Sequence, residues 1–288
     1  MLANYHTHTS RCQHARGEDR EYVEHAIAHG MKVLGFSDHC PWIFDDGYVS
    51  GTRMSPAQID DYFRSLTALK EEYASDIKIY IGFESEYIPE LMQKQDDLLA
   101  DYPVDYMILG EHFTEREPYS PYTGFETTDE SALKKYVDLI IEGMESGRYK
   151  YVAHPDLLNF VGSSEVYKEH YGRLCRYLKA KNIPVEINLL GVREGRHYPS
   201  ERFLRIAQKT GCSTCWPTNI HHSRISSEKL YGRGRATRFF MRRFVNIAPI
   251  ARETRQNMPV LRVFLKHIMA MESRMSRMPS LPVSVMAF

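Results

Sequence analysis

ANYHTHTSRCQH (residues 3–14) sets a short apolar start against three histidines, His6, His8 and His14. Successive side chains of an extended strand alternate sides, so residues i and i+2 face the same way. His6 and His8 therefore present two imidazoles to one point. The same event, a short β-prone run that ends in a metal-ligating residue type, recurs along the chain. KVLGFSDH (32–39) ends in His39, and IKIYIGFESEY (77–87) carries Glu84 and Glu86. DYMILGEHF (105–113) carries His112, and KYVAHPD (150–156) carries His154. IPVEINLLG (183–191) reads as a sixth strand, and CSTCWPTNIH (212–221), weakened by Pro217, as a seventh that ends at His221.

Helix-like stretches separate these runs. DREYVEHAIAHG (19–30) stops at a glycine, and SPAQIDDYFRSLTALKEEYA (55–74) opens with Ser55 as N-cap and Pro56 at the first helical position. ELMQKQDDLLADY (90–102), DESALKKYVDLIIEGMESG (129–147), SEVYKEHYGRLCRYLKAKN (164–182) and PSERFLRIAQKTG (199–211) complete the alternation. Strand and helix in strict succession predict an α/β protein with a parallel sheet. Seven repeats predict a distorted seven-stranded, TIM-like (β/α)7 barrel, with an open doubly wound sheet as the alternative.

In a barrel all the marked strand ends meet at one mouth, the C-terminal face of the strands. Neutral imidazole with carboxylate is the ligand set of Zn, Mn or Fe. Gathering so many such groups without a cation would leave half-buried polar atoms unsatisfied. Other histidines read differently. His25 and His29, four apart on the first helix, belong to its outer surface, and His170 and His267 to helix faces. Cys212 and Cys215 form one isolated CxxC, read as apolar filling rather than a zinc site.

Composition narrows the class. The chain has 288 residues, 37 basic and 37 acidic, and 43% are hydrophobic. Charge balance gives no global bias towards nucleic acid or membrane. No apolar run approaches a membrane span and no secretory pattern opens the chain, so a cytoplasmic protein is expected. Five cysteines in an odd, unframed set fit a reducing compartment. From residue 211 onward the chain carries 11 Arg and 2 Lys against 3 Glu, so the first 210 residues are acidic by the same margin. That tail also holds GRGRATRFFMRR and a series of methionines from Met258 to Met286. It reads as a basic interaction segment or as a divergent, frame-shifted C-terminus.

YHTHTSRCQH, FSDH, GFESEY, LGEHF, AHPD and EINLLGVREGRHYPS, in this order and spacing, resemble the polymerase-and-histidinol-phosphatase (PHP) family, and within it the histidinol-phosphatase branch. The resemblance runs from residue 1 to about residue 222 and implies a barrel domain over 1–222, with 223–288 an atypical basic, Met-rich segment that either completes the barrel's outer helices or is divergent. It implies a cluster of divalent ions, commonly three, at the strand C-termini. Carried over by position, His6 and His8 bind the first ion and Glu84 bridges it to a second. His112 and His154 complete the second ion, and His14, His39 and His221 hold a third. The family usually has an Asp two residues before the last histidine; this sequence has Asn219, which offers only a neutral carbonyl oxygen.

The implied reaction is hydrolysis of L-histidinol phosphate, a small phosphorylated substrate. Clustered divalent ions suit phosphate-ester cleavage, which asks mainly for positioning and positive charge. Arg193 is the first choice of phosphate clamp, with Arg196 and His197 in the same loop next. Glu115, Glu117, Tyr119 and Tyr122 are candidate lining for the rest of the substrate, and Asp156 is a candidate proton donor. Two other readings stay open: a phosphoesterase of the same family acting on nucleic-acid ends, disfavoured by the acidic first 210 residues, and a metal-binding relative impaired by Asn219.

Overall fold

The computed structural model describes residues 3–215. The candidate ligands Asn219 and His221, the arginine-rich run, the methionine series, His267 and the 223–288 segment all lie outside the described residues. Six strands are laid down in chain order: β1 (Ala3–Asn4), β2 (Val33–His39), β3 (Lys78–Ser85), β4 (Tyr106–Leu109), β5 (Val185–Glu186) and β6 (Thr214–Cys215). Seven helices lie between them, one after each of the first three strands and then in two consecutive pairs: α1 (Asp19–Ala28), α2 (Ile59–Glu72), α3 (Met92–Leu99), α4 (Glu130–Glu145), α5 (Ser164–Ala180), α6 (Leu189–Glu194) and α7 (Glu201–Thr210).

β1, β2, β3 and β4 form one sheet in that order, and every pairing is parallel. Single-residue parallel bridges pass the pairing from Leu109 to Val152 and from Val152 to Val185, and β5 pairs parallel with β6. The expected α/β fold with a parallel sheet is therefore present, and the sheet curls; of the seven strands expected for a barrel the described residues show six, four in one sheet and two in another. Three expected strands are much shorter than read. The first, ANYHTH, forms a ladder only over Ala3–Asn4. KYVAHPD contributes only Val152 to the pairing. IPVEINLLG stops pairing after Glu186, because Asn188 accepts a hydrogen bond from the Gly191 amide at 2.9 Å and starts a helix over LLGVRE.

The helices form where caps and apolar spacing coincide. Ser163 caps α5 by accepting from the Val166 amide at 3.2 Å, and Ser200 caps α7 by accepting from Phe203 at 3.2 Å. α2 buries Ile59, Tyr62, Phe63, Leu66 and Leu69, one face of a 3.6-residue period. Tyr62 crosses from that face to donate to the Gly82 carbonyl at 2.8 Å, tying α2 to the central strand β3. β2 and β3 carry buried residues on both faces, as a parallel strand covered on both sides must. No helix of the described residues is long and apolar enough to cross a membrane.

His170 lies on α5 but is buried rather than surface-facing, and contacts Glu130 at 3.4 Å. His25 and His29 stack on α1 with ring centroids 4.7 Å apart. Cys212 donates to the Cys175 carbonyl at 3.3 Å, and Cys215 lies in β6. All five cysteines are free thiols.

Candidate metal centre

Parallel strands bring their C-terminal ends to one edge, and the register decides which residues meet there. His39 of β2 pairs with Glu84 of β3, so the two side chains share a face. The Ser37 amide donates to the Thr7 carbonyl at 2.8 Å, which seats His6 and His8 beside the end of β2. Leu109 and Ala153 amides bond to the Tyr151 and Leu109 carbonyls at 3.0 and 2.8 Å, which aligns His112 with His154. His154 itself sits at φ 28°, a backbone conformation that costs free energy and that surrounding structure must hold.

Glu84 occupies the middle and is fully buried. Its Oε2 lies 3.2 Å from His6 Nε2, 3.3 Å from His8 Nε2 and 3.4 Å from His39 Nδ1. Its Oε1 lies 2.8 Å from His154 Nε2 and 3.6 Å from His112 Nε2. One carboxylate thus faces two separate sets of imidazoles with its two oxygens. His6–Glu84–His154 and His8–His39–Glu84 each place three ligand atoms within 4.8 Å of one another. His8, Cys12 and His14 form a third such group, with the His14 ring centroid 5.1 Å from that of His39.

Carboxylates stand behind the imidazoles. Glu186 contacts His6 Nδ1 at 3.2 Å, Asp38 contacts His8 Nδ1 at 3.5 Å and Glu86 contacts His112 Nδ1 at 3.1 Å. Asp38 is held in turn by the Thr9 hydroxyl and by the His39 amide at 2.9 Å. A carboxylate on one ring nitrogen fixes the tautomer and frees the other nitrogen as a ligand. Of these three only Glu86 stands out in the sequence, as a strand-end carboxylate; Asp38 and Glu186 do not, since nothing local names their partners.

The electrostatics follow from burial and crowding. Burial alone would raise Glu84, but His6, His112, His39 and His154 hold it well below the usual carboxylate range. Burial would lower His6, yet Glu84 and Glu186 outweigh it and leave it raised to about 9. Desolvation and then His8 lower His14 to about 4. His6 Nε2 and His8 Nε2 lie 3.1 Å apart, both against the same carboxylate oxygen. Two imidazole nitrogens crowd one carboxylate oxygen in a buried place, where they repel each other if both carry protons and leave lone pairs unsatisfied if both are bare. A divalent cation satisfies such a donor set, and imidazole with carboxylate suits Zn, Mn or Fe.

The loop residues divide. Arg193 pairs with Glu194 at 3.2 Å. Arg196 bonds Glu194 at 2.7 Å and donates to the Tyr198 hydroxyl at 2.7 Å, and the Tyr198 ring packs 5.5 Å from the His154 ring. His197 contacts the Leu157 carbonyl at 2.6 Å. Glu117 is not free pocket lining: it is buried and paired with Arg53 at 2.9 Å. Glu115 pairs with Lys135 at 2.5 Å, and Tyr119 is exposed with its hydroxyl on Asp46 at 3.3 Å. Tyr122 lies against Phe113 and Phe125, at ring centroid separations of 6.1 and 5.8 Å. Asp156 accepts from the Ser200 amide at 2.6 Å, and burial raises it to about 6.

The signature of the PHP domain matches residues 4–189. A Deinococcus radiodurans protein named "Probable histidinol-phosphatase" is 24% identical over 226 residues, covering 76% of this chain and 86% of that protein. A solved structure from Listeria monocytogenes aligns with a TM-score of 0.65 at 21% identity, over 82% of this chain and 99% of that one. A Lactococcus lactis histidinol phosphate phosphatase, solved with zinc, L-histidinol and phosphate, aligns with a TM-score of 0.61 at 19% identity, over 84% and 93%. The two structural likenesses bear on the fold.

Proposed function

This chain belongs to the PHP domain family, and on that premise we propose that it is a metal-dependent phosphomonoesterase that hydrolyses L-histidinol phosphate to L-histidinol and phosphate, as in histidine biosynthesis. The observation that carries the reading is Glu84, one carboxylate with an imidazole set on each oxygen. The substrate follows the Deinococcus relative and the Lactococcus neighbour, whose names give that phosphatase and whose crystal holds its product and phosphate.

His6, His8, His39, Glu84, His112 and His154 would hold the ions, with His14 at the third group and Asn219 and His221 completing the set; we read three ions, of Zn, Mn or Fe. When bound, divalent ions supply Lewis acidity and positive charge for phosphoryl transfer. The chain's own part is orientation. Glu186, Asp38 and Glu86 fix the ring nitrogens of His6, His8 and His112. Arg196 carries a planar, always-charged fork suited to phosphoryl oxygens, and Tyr198 locks it beside His154. Arg193 lies in the last turn of α6 and His197 in the loop that follows it, with the aromatic wall of Phe113, Tyr122 and Phe125 on another loop.

The same reading takes residues 1–222 as a seven-stranded barrel, in which Val152 stands for the fifth strand, 223–288 as a divergent appendage, and the protein as cytoplasmic. Asn219 favours a second reading, an impaired relative that binds metal and turns over slowly. Elemental analysis of purified protein, paired with phosphate release from histidinol phosphate and from a 3′-phosphorylated oligonucleotide, tests the proposal. Bound Zn, Mn or Fe with selective release from histidinol phosphate is expected. Full metal content with release only from the oligonucleotide, or from neither, would sink it.

A further inference from the structure

We propose that Arg53 is a positioning residue for the metal centre: it clamps Glu86, and through Glu86 sets the His112 ring, while anchoring a second loop through Glu117. The inference rests on the reading of His112 as a metal ligand.

Arg53 lies in the loop between β2 and α2, remote in sequence from every histidine of the centre, and is only 3% exposed. Its Nη1 and Nη2 donate to Glu86 Oε2 and Oε1 at 3.1 and 3.0 Å, a two-pronged bond that fixes the plane of the carboxylate. Nη1 also donates to the Cys40 carbonyl at 3.1 Å, immediately after His39. Nε donates to Glu117 Oε2 at 2.9 Å. Trp42 Nε1 donates to Glu86 Oε2 at 3.2 Å, so both Glu86 oxygens are committed. Oε1 is the one that meets His112 Nδ1 at 3.1 Å.

A carboxylate gripped by a guanidinium is an acceptor only. His112 Nδ1 must then be the donor, which leaves the Nε2 lone pair facing Glu84 Oε1, where a ligand is needed. Without the clamp the buried Glu86 keeps only Trp42 as a fixed donor, on Oε2, so the plane of the carboxylate and with it the aim of the His112 ring are no longer set. Lysine keeps the charge but has no planar fork, so it cannot serve Glu86 and Glu117 together.

The test is stepwise zinc affinity of the full chain by chelator competition, with the thermal melt of the metal-free protein as a folding control. In Arg53→Lys we expect one ion to weaken by about 10–100-fold while the others keep their affinity. In a His112→Ala background the same substitution should add no further loss, because the path through His112 is already gone. Folded Arg53→Lys that binds every ion as tightly as the natural chain overturns the proposal, as does an equal weakening of all ions or full additivity with His112→Ala. Should Arg53→Lys not fold, Glu117→Gln takes its place: a smaller loss at the same ion supports the proposal and unchanged binding overturns it. A natural chain that loads zinc but releases no phosphate from histidinol phosphate overturns the substrate reading alone, because the affinity measurements do not involve the substrate.

Discussion

His154 Nε2 meets Glu84 Oε1 at 2.8 Å although the two residues stand 70 positions apart in the chain. The contact needs a clear approach, and Gly110 supplies it: a Cβ at that position would collide with Glu84 Oε1 and with the carboxyl carbon behind it. The glycine of LGEHF is therefore a requirement of the carboxylate next to it, not of its own backbone.

Gly110→Ala should displace the Glu84 carboxylate by about 1 Å and lower kcat/KM about 100-fold. Metal content measured after dialysis should fall with it. Full activity and full metal content in this variant would show that Glu84 is not held where its oxygens serve both imidazole sets.

Metal loading should depend on pH through His6. In the metal-free chain burial lowers this imidazole but Glu84 and Glu186 prevail and raise it to about 9. A ligand must shed its proton to bind, so zinc affinity should rise about tenfold per pH unit up to about 9 and then level. For the metal-free fold the sign is opposite. The group's folded value exceeds its unfolded one, so its stabilisation is complete below the ordinary histidine range and disappears as pH rises through about 9. Chelator competition at several pH values and metal-free melts measure the two slopes.

Arg196→Ala should lower kcat/KM by about 10–100-fold, the worth of hydrogen bonds from a charged group to phosphate, with zinc content unchanged. Tyr198→Phe removes the hydroxyl that receives Arg196 at 2.7 Å and should show a smaller loss in the same direction. A larger effect at Arg193 than at Arg196 would move the phosphate clamp to Arg193, at the end of α6.

Asn219→Asp should strengthen one zinc ion by at least about tenfold, since it adds a unit negative charge to a cation's shell. A large gain in turnover would mark the natural chain as an impaired enzyme; turnover already high in the natural chain and unmoved by the substitution would remove Asn219 from the metal shell.

Most of the candidate centre is legible because its residues obey local rules. His6 and His8 share a face by strand alternation, and His39, Glu84, His112 and His154 each close a run whose apolar pattern marks a strand. What was not legible depends on contacts between distant segments. Asp38 reads as an ordinary neighbour of His39, and its aim at His8 comes from the pairing of β1 with β2. Glu186 lies 180 positions from His6 and reaches it through the curl of the sheet. Glu117 reads as an available acid beside two tyrosines because sequence carries no sign of the buried Arg53. The sixth strand was read too long because IPVEINLLG keeps its apolar content across the point where Asn188 turns it into a helix. At the fifth, the strand-like KYVA keeps only one paired residue before the chain bends at His154.

Arg53 joins the loop that follows β2 and, through Glu117, the loop that follows β4 to the carboxylate behind His112. Such loops are the usual raw material for new substrate preference on a barrel scaffold. On the role proposed for Arg53, remodelling either one would loosen an ion as well as change the loop. Changes of specificity in this lineage are thus expected to spare positions 53, 86 and 117 as a block, and a directed-evolution library that holds those three constant should retain far more active members than one that randomises them.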